Sequence, residues 1–359
     1  MGIKNLNPFI KDIKKGEIHH TGSFSDLSRK RVAIDASLWA IASMFTSMKK
    51  IINNCDIVRL VLESKSNKPR EIIGERIVIS GLINILLEDL DIFISRDITP
   101  VFVFDGESPK EKEKTKMERK KVYEKNKIKF EQGLEEVRKC DLDNNIDITK
   151  IFLQMNYLSS DDTNIIKTVL YNLGIPYIQA KGEAEKLCSM LINENIISAV
   201  VSTDTDNLVY GCEYLITNYN KWNYKYVLLS DVLDILDINH RTFVDLCIMA
   251  KCDYNDNIPN LAIKKAYKLL KQEETIENLI ENKKIQKYEC LNHERCRELF
   301  SKEPYETLIE EGNYNISRNR ENDIRDFLEK ISMNELFDKL YQKINIMQPV
   351  KNLIIKQVK

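Results

Sequence analysis

Three unbroken apolar runs punctuate this chain, and each stops at an aspartate: Arg31-Val-Ala-Ile-Asp35, Pro100-Val-Phe-Val-Phe-Asp105 and Ala199-Val-Val-Ser-Thr-Asp204-Thr-Asp206. Short β-branched and aromatic runs without polar alternation predict strands buried on both faces, the mark of a parallel sheet. Between them, apolar residues recur at helical spacing over 38–50, 76–93, 161–173 and 182–192. A polar loop is expected at 63–69. Gly174 and Pro176 end the third helix and introduce a short strand over 175–178. Weaker strands are expected at 214–217 and 225–230, and a helical region over 241–270 breaks at 253–259. The remainder reads as helical and mixed in charge. Strands alternating with helices at this spacing indicate βαβ units and an α/β class.

Residues just past the carboxyl ends of parallel strands meet in one crevice. Asp35, Asp105, Asp204 and Asp206 are therefore expected to be neighbours in space. Crowded carboxylates repel one another, and a bound divalent cation is the usual remedy. Metal-dependent chemistry on a phosphate follows. Glu183 and Glu185 join the set at a helix N-terminus, where the helix dipole tolerates anions. Taken singly, a capped helix explains the glutamates, and a turn or N-cap explains Asp204 and Asp206, as well as a metal does. Their combination with Asp35, Asp105 and Asp253 favours the metal.

Charge alters the picture only locally. The 359 residues suit two domains or one elaborated domain, and 54 basic against 55 acidic side chains leave a net charge of −1. No global basic field recommends nucleic acid. Residues 110–129, however, hold ten basic and four acidic side chains, a local +6. This stretch is rich in helix formers and reads as an exposed helix leaving the rim of the acidic crevice. A charge run by itself is most often a solvated face; its position suggests a nucleic-acid contact.

No signal-peptide core and no apolar run of membrane-spanning length is visible, so an intracellular protein with no membrane partner is expected. Gly2 does not sit in a convincing acylation pattern, because Asn7 stands near where a Ser or Thr would be wanted. The eight cysteines are scattered and are expected to be reduced. Cys290, His293 and Cys296 offer three soft ligands where zinc usually takes four, and read as a coincidence of a helix surface.

These motifs closely resemble those of the flap endonuclease/XPG family of structure-specific 5′ nucleases, from Met1 to about Leu270. The residues that carry the likeness are Met1-Gly2-Ile3, Val32-Ala-Ile-Asp35-Ala-Ser37, Val103-Phe-Asp105-Gly106 and Gly174-Ile-Pro-Tyr177. Glu183-Ala-Glu185, Thr203-Asp204-Thr-Asp206, Phe243-Val-Asp-Leu-Cys247 and Cys252-Asp253-Tyr254 complete it. The resemblance implies a PIN-like (5′ nuclease) α/β fold with a mostly parallel central sheet flanked by helices, a helical arch and a helix–hairpin–helix element. It implies Mg²⁺, two ions per active site, with Mn²⁺ as a substitute. Asp35, Asp105, Glu183 and Glu185 would hold the first ion, and Asp204, Asp206 and Asp253 would hold or orient the second. Lys112 and Arg119 match the arch residues that approach the scissile phosphate, and their seven-residue spacing places both on one helix face. Lys110, Lys116 and Lys120 would hold a single strand by charge, Lys264, Lys265 and Lys268 the duplex backbone, and Gly2 would also contact DNA.

The expected organisation is an N-terminal nuclease region (1–107), a basic arch (108–150), an internal nuclease region with the hairpin (151–275) and a helical extension (276–359). Branched DNA with a 5′ single-stranded end is the expected partner of a monomer acting in replication or repair, and so in a nucleus or another site of DNA synthesis. No sliding-clamp-binding box is recognisable. The chain departs from the pattern in several places. Asn260 and Ala262 stand at the usual hairpin glycines, so the hairpin is expected to be reshaped and its monovalent-cation site lost. Lys251 replaces a small residue. Trp39 resembles the exonuclease and XPG branches and is open to a core or a base-stacking role. Glu88, Asp89 and Asp91 stand where basic DNA contacts are usual. The 78-residue spacing from Asp105 to Glu183 excludes the long spacer of the XPG excision nuclease but does not separate flap endonuclease from 5′→3′ exonuclease or junction and bubble enzymes. An RNA-directed nuclease and a non-catalytic scaffold are the remaining alternatives.

Overall fold

Among the described residues, seven strands form one sheet: His20–Ser23 (β1), Arg31–Asp35 (β2), Thr99–Phe104 (β3), Tyr177–Gln179 (β4), Ala199–Val201 (β5), Tyr214–Tyr219 (β6) and Asn223–Leu228 (β7). Their spatial order is β1-β7-β6-β5-β2-β3-β4. The five strands from β6 to β4 run parallel, and β7 and β1 add antiparallel at one edge. This is a computed structural model, and it describes residues 3, 5–139, 147–155 and 157–308.

The apolar runs are unbroken because both sheet faces are covered. Ala33, Val101, Val103 and Val200 point into one core with the N-terminal helix Leu6–Lys14, the helix Ala184–Asn193 and the helices beyond β7. Val32, Ile34, Phe102, Phe104 and Val201 point into the other, under the helices Ala36–Asn53 and Glu75–Ile94. After β2 the chain moves to β3 and β4 on one side, then returns to place β5 on the other. The gap between β2 and β5 is thus a topological switch point, where open α/β sheets form a crevice.

Most helices fall near their expected places: Ala36–Asn53, Glu75–Ile94, Ser160–Leu173, Ala184–Asn193, His240–Ala250 and Ile263–Glu273. Gly174 ends its helix in the left-handed region (φ 65°), as its position predicts. Strand bounds moved more. β4 begins at Tyr177 rather than 175, because Pro176 has no N–H to donate to a ladder. β7 ends at Leu228, since Leu229 already opens the helix Leu229–Leu236. Strand β5 stops three residues short of Asp204, leaving Asp204 on a loop and Asp206 opening a short helix, Asp206–Val209.

The basic run forms a 3₁₀ turn, Lys110–Lys112, and one long helix, Glu113–Arg138. Its first four turns bury nothing; Phe130, Gly133, Leu134 and Val137 anchor its far end. Phe130 is fully buried edge-on to Phe152, with ring centroids 4.9 Å apart. The helix is therefore a charged arm on an apolar root. Residues 140–146 and 309–359, which held parts of the expected arch and extension, lie outside the described residues, as does Gly2.

The hairpin corrects one expectation. Asn260 takes the left-handed conformation (φ 61°) that asparagine tolerates, while Ala262 is extended (φ −79°, ψ 160°) as the N-cap of Ile263–Glu273. Replacing a glycine by Ala262 therefore carries no backbone strain, and the turn does not need reshaping on that account. Strain sits instead at Lys251, whose φ of 82° and ψ of 110° cost on the order of 1–3 kcal/mol for a residue with a Cβ.

Candidate metal centre and nucleic-acid cleft

All seven predicted carboxylates gather at the carboxyl edge of the sheet. Asp35 ends β2 and caps the next helix, its Oδ1 accepting from the Leu38 amide at 3.1 Å. Ser202 Oγ donates to Asp35 Oδ2 at 3.1 Å and accepts from the Asp204 amide at 3.1 Å, tying β2 to the β5 loop. Asp105 follows β3, and its Oδ1 accepts from the Ala184 amide at 2.8 Å, between Glu183 and Glu185. Asp204 Oδ1 accepts from the Asp206 amide at 3.0 Å. Gly106 has no room for a side chain, because a Cβ there would lie 2.1 Å from the Ala180 carbonyl oxygen. That close approach lets the loops after β3 and β4 bring Asp105 against the glutamate pair.

The electrostatics are those of crowded acids. Burial, then the charge of Asp105, pushes the Asp35 carboxyl up to about 7. Burial and the charges of Asp35, Asp105 and Glu183 push Glu185 well above the usual carboxylate range. Burial, Asp204 and Asp253 do the same to Asp206. Glu185 Oε2 and Asp206 Oδ1 are buried acceptors without a hydrogen-bond partner. Buried polar atoms are ordinarily paired, and an all-oxygen set with orphaned acceptors fits a hard divalent cation such as Mg²⁺. Among the described residues, no three His, Cys, Asp or Glu side chains converge to hold an ion.

Cations of the arm and its leading turn occupy this acidic rim. The Lys112 ammonium is paired with Glu183 and lies 3.8 Å from Asp253 Oδ2. Burial alone would lower its pKa, but Glu183 reverses that and holds it charged. Arg119 donates to Asp253 Oδ2 at 2.8 Å, and Thr115 Oγ1 donates to the Asp253 carbonyl at 3.0 Å. Lys112 and Arg119 thus converge on one carboxylate, although Lys112 lies in the 3₁₀ turn rather than on the helix proper.

The other candidates are not drawn into the crevice. Lys110, Lys116 and Lys120 are exposed along the arm. Lys264, Lys265 and Lys268 are exposed on a separate helix, where Lys264 pairs with Asp12 at 2.6 Å. Trp39 is a core residue: its Nε1 donates to Asp89 Oδ2 at 2.7 Å and its ring meets Phe102 edge-on. Cys296 is buried and His293 pairs with Glu277 at 3.3 Å. Sequence reasoning missed Ser202, whose adjacency to Asp204 in a strand-end loop was the available signal. It also missed Gln179, whose Nε2 donates to the Asp105 carbonyl while its Oε1 accepts from Lys167 at 2.6 Å.

Comparison with known proteins places this arrangement. The XPG N-terminal domain profile matches residues 1–126 and the XPG I-region profile residues 174–253. Flap endonuclease 1 of Theileria parva is 31% identical over 283 residues, covering 78% of this chain and 53% of that protein. A probable RAD2-like endonuclease, 369L of Invertebrate iridescent virus 6, is 29% identical over 350 residues, covering 84% and 79%. The chain thus spans about half the length of the Theileria relative and more of the viral one. In fold it is similar to flap endonuclease-1 from Methanococcus jannaschii, with a TM-score of 0.58 at 24% identity over 91% of this chain and 96% of that one. Among the described residues no helix is long and apolar enough to cross a membrane. On the matching profiles, relatives and fold, the chain belongs to the XPG/Rad2 family of structure-specific 5′ nucleases.

Proposed function

We propose that this chain hydrolyses phosphodiester bonds in branched DNA, 5′ flaps foremost, as a Mg²⁺-dependent structure-specific nuclease serving replication or repair. One observation carries the reading: seven crowded carboxylates lie beside Lys112 and Arg119, which pair with Glu183 and Asp253 from the near end of a +6 arm. Asp35, Asp105, Glu183 and Glu185 would hold one divalent ion, and Asp204, Asp206 and Asp253 a second. Divalent ions held there would supply activation of an attacking water and stabilisation of the leaving 3′-oxygen.

The remaining roles fall to the chain itself. Ser202 and the Ala184 amide orient Asp35 and Asp105. Lys112 and Arg119, now paired with carboxylates, would exchange those partners for a phosphate entering the same space and neutralise it in the transition state. Lys110, Lys116 and Lys120, exposed along the same stretch, would hold a passing single-stranded 5′ end, and Lys264, Lys265 and Lys268 would grip duplex backbone by salt-dependent charge. The proposed working units are the nuclease regions 1–107 and 151–275, the arch 108–150 and the extension 276–359, acting as a monomer.

The test is cleavage of matched 5′-flap, nicked, bubble and four-way-junction DNAs with Mg²⁺. Preference for the flap supports the reading, and preference for the junction supports its sister activity on the same scaffold. Equal cutting of all four contradicts structure specificity, and faster cutting of a ribonucleotide flap contradicts the choice of DNA.

A further inference from the structure

Lys251 combines two features that do not belong together. Its backbone lies at φ 82° and ψ 110°, in the positive-φ half of the map that favours glycine, yet it carries a long charged side chain. It closes the helix His240–Ala250 and stands two residues before Asp253. Its ammonium lies 3.6 Å from Glu118 Oε2 on the arm and 3.8 Å from Asp256 Oδ1 on its own loop. Asp256 in turn accepts from Lys114, one helical turn before Glu118 on the arm. Lys114, Asp256, Lys251 and Glu118 therefore form a run of alternating charge that crosses twice between arm and loop.

We propose that Lys251 is a positioning residue that sets the height of the arm's first turns over the carboxylates, acting through Glu118 and Asp256. Local strain that persists in a fold points to a side chain worth keeping there, and this side chain reaches the arm. The adjoining contacts define what is positioned: Thr115 and Arg119 on the same stretch of the arm both meet Asp253. A tilt of the arm would move Arg119 and Lys112 relative to a bound phosphate, and misplacement of about 1 Å costs catalysis heavily. The catalytic consequence rests on the nuclease reading; the positioning itself does not.

The experiment uses the full chain with Lys251→Gly, Lys251→Arg, Glu118→Gln and the Lys251→Gly/Glu118→Gln double variant. Glycine relieves the strain, so Lys251→Gly should fold and melt about 2 °C or more above the parent. Without DNA or metal, its amide exchange over residues 113–119 should rise about threefold or more, with residues 130–138 unchanged. Glu118→Gln should reproduce that rise, the double variant should add nothing, and Lys251→Arg should restore protection. Under single-turnover conditions at saturating flap DNA, Lys251→Gly should cleave about fivefold or more slowly with unchanged DNA affinity. Parent-like exchange over 113–119 would overturn the proposal. So would weaker DNA binding with an unchanged saturated rate, which makes Lys251 a phosphate contact. If the parent cleaves no DNA, the nuclease reading fails and the exchange comparison alone decides the role of Lys251.

Discussion

The Lys112 ammonium is seated against the Glu183 carboxylate, in a place where both side chains are largely withdrawn from water (14% and 7% exposed). A cation supplied by the arm thus balances acids that a divalent ion would also balance, so the two should compete. Lys112→Met should lower the stability of the metal-free protein by about 2–3 kcal/mol, because it leaves a buried carboxylate unpaired. Its melting temperature should then rise more with Mg²⁺ than the parent's does. Thermal unfolding with and without Mg²⁺ checks both, and an equal Mg²⁺ response in parent and variant would show no competition.

Crowding of the acids gives the metal-free protein an unusual pH dependence. Asp35 is pushed up to about 7 from an ordinary 3.8, and Glu185 and Asp206 are pushed up as well. Between the ordinary and raised values the folded state binds more protons than the unfolded one, so stability falls as pH rises. Melting temperature without metal should therefore increase as pH drops from about 7 toward 5, and saturating Mg²⁺ should flatten that trend. Below about pH 4 the sign reverses, because Arg297 holds Glu277 down near 2 and that pair is lost in acid. Melting curves at stepped pH, with and without Mg²⁺, test the sign.

Gly106 marks the closest approach in the site. Gly106→Ala would drive a methyl group against the Ala180 and Lys181 carbonyl oxygens, which are backbone and cannot swing aside. A loss of about 2–3 kcal/mol is expected from such overpacking. Since Asp105 precedes it, Mg²⁺ should also stabilise the variant less than the parent. Denaturant unfolding with and without Mg²⁺ measures both effects.

Much of this site was readable from the chain. β2 and β3 declare themselves because parallel strands buried on both faces need no polar alternation, and a strand that ends in Asp35 or Asp105 fixes where its carboxylate lies. The arm was readable from its charge and its lack of Gly and Pro. What escaped depends on tertiary pairing. β1 is short and polar, and it pairs with β7 where Tyr224 fills the space over Gly22. Nothing local to Lys112 names Glu183 as its partner, 71 residues away. The hairpin was misjudged because identity at Ala262 was legible while its φ was not; the left-handed turn falls on Asn260. For Lys251 the reverse holds: only the backbone angle reveals that the substitution is strained.

Metal-dependent hydrolysis by these carboxylates is distinguished from a mere DNA-binding surface by removing one of them. The direct measurement is single-turnover cleavage of a 5′-flap DNA in Mg²⁺ by parent and Asp204→Ala, with DNA affinity measured in parallel in Ca²⁺. The variant should lose about 10²–10³-fold or more in rate while binding the flap as the parent does. A variant that cleaves at the parent's rate would contradict hydrolysis by these carboxylates.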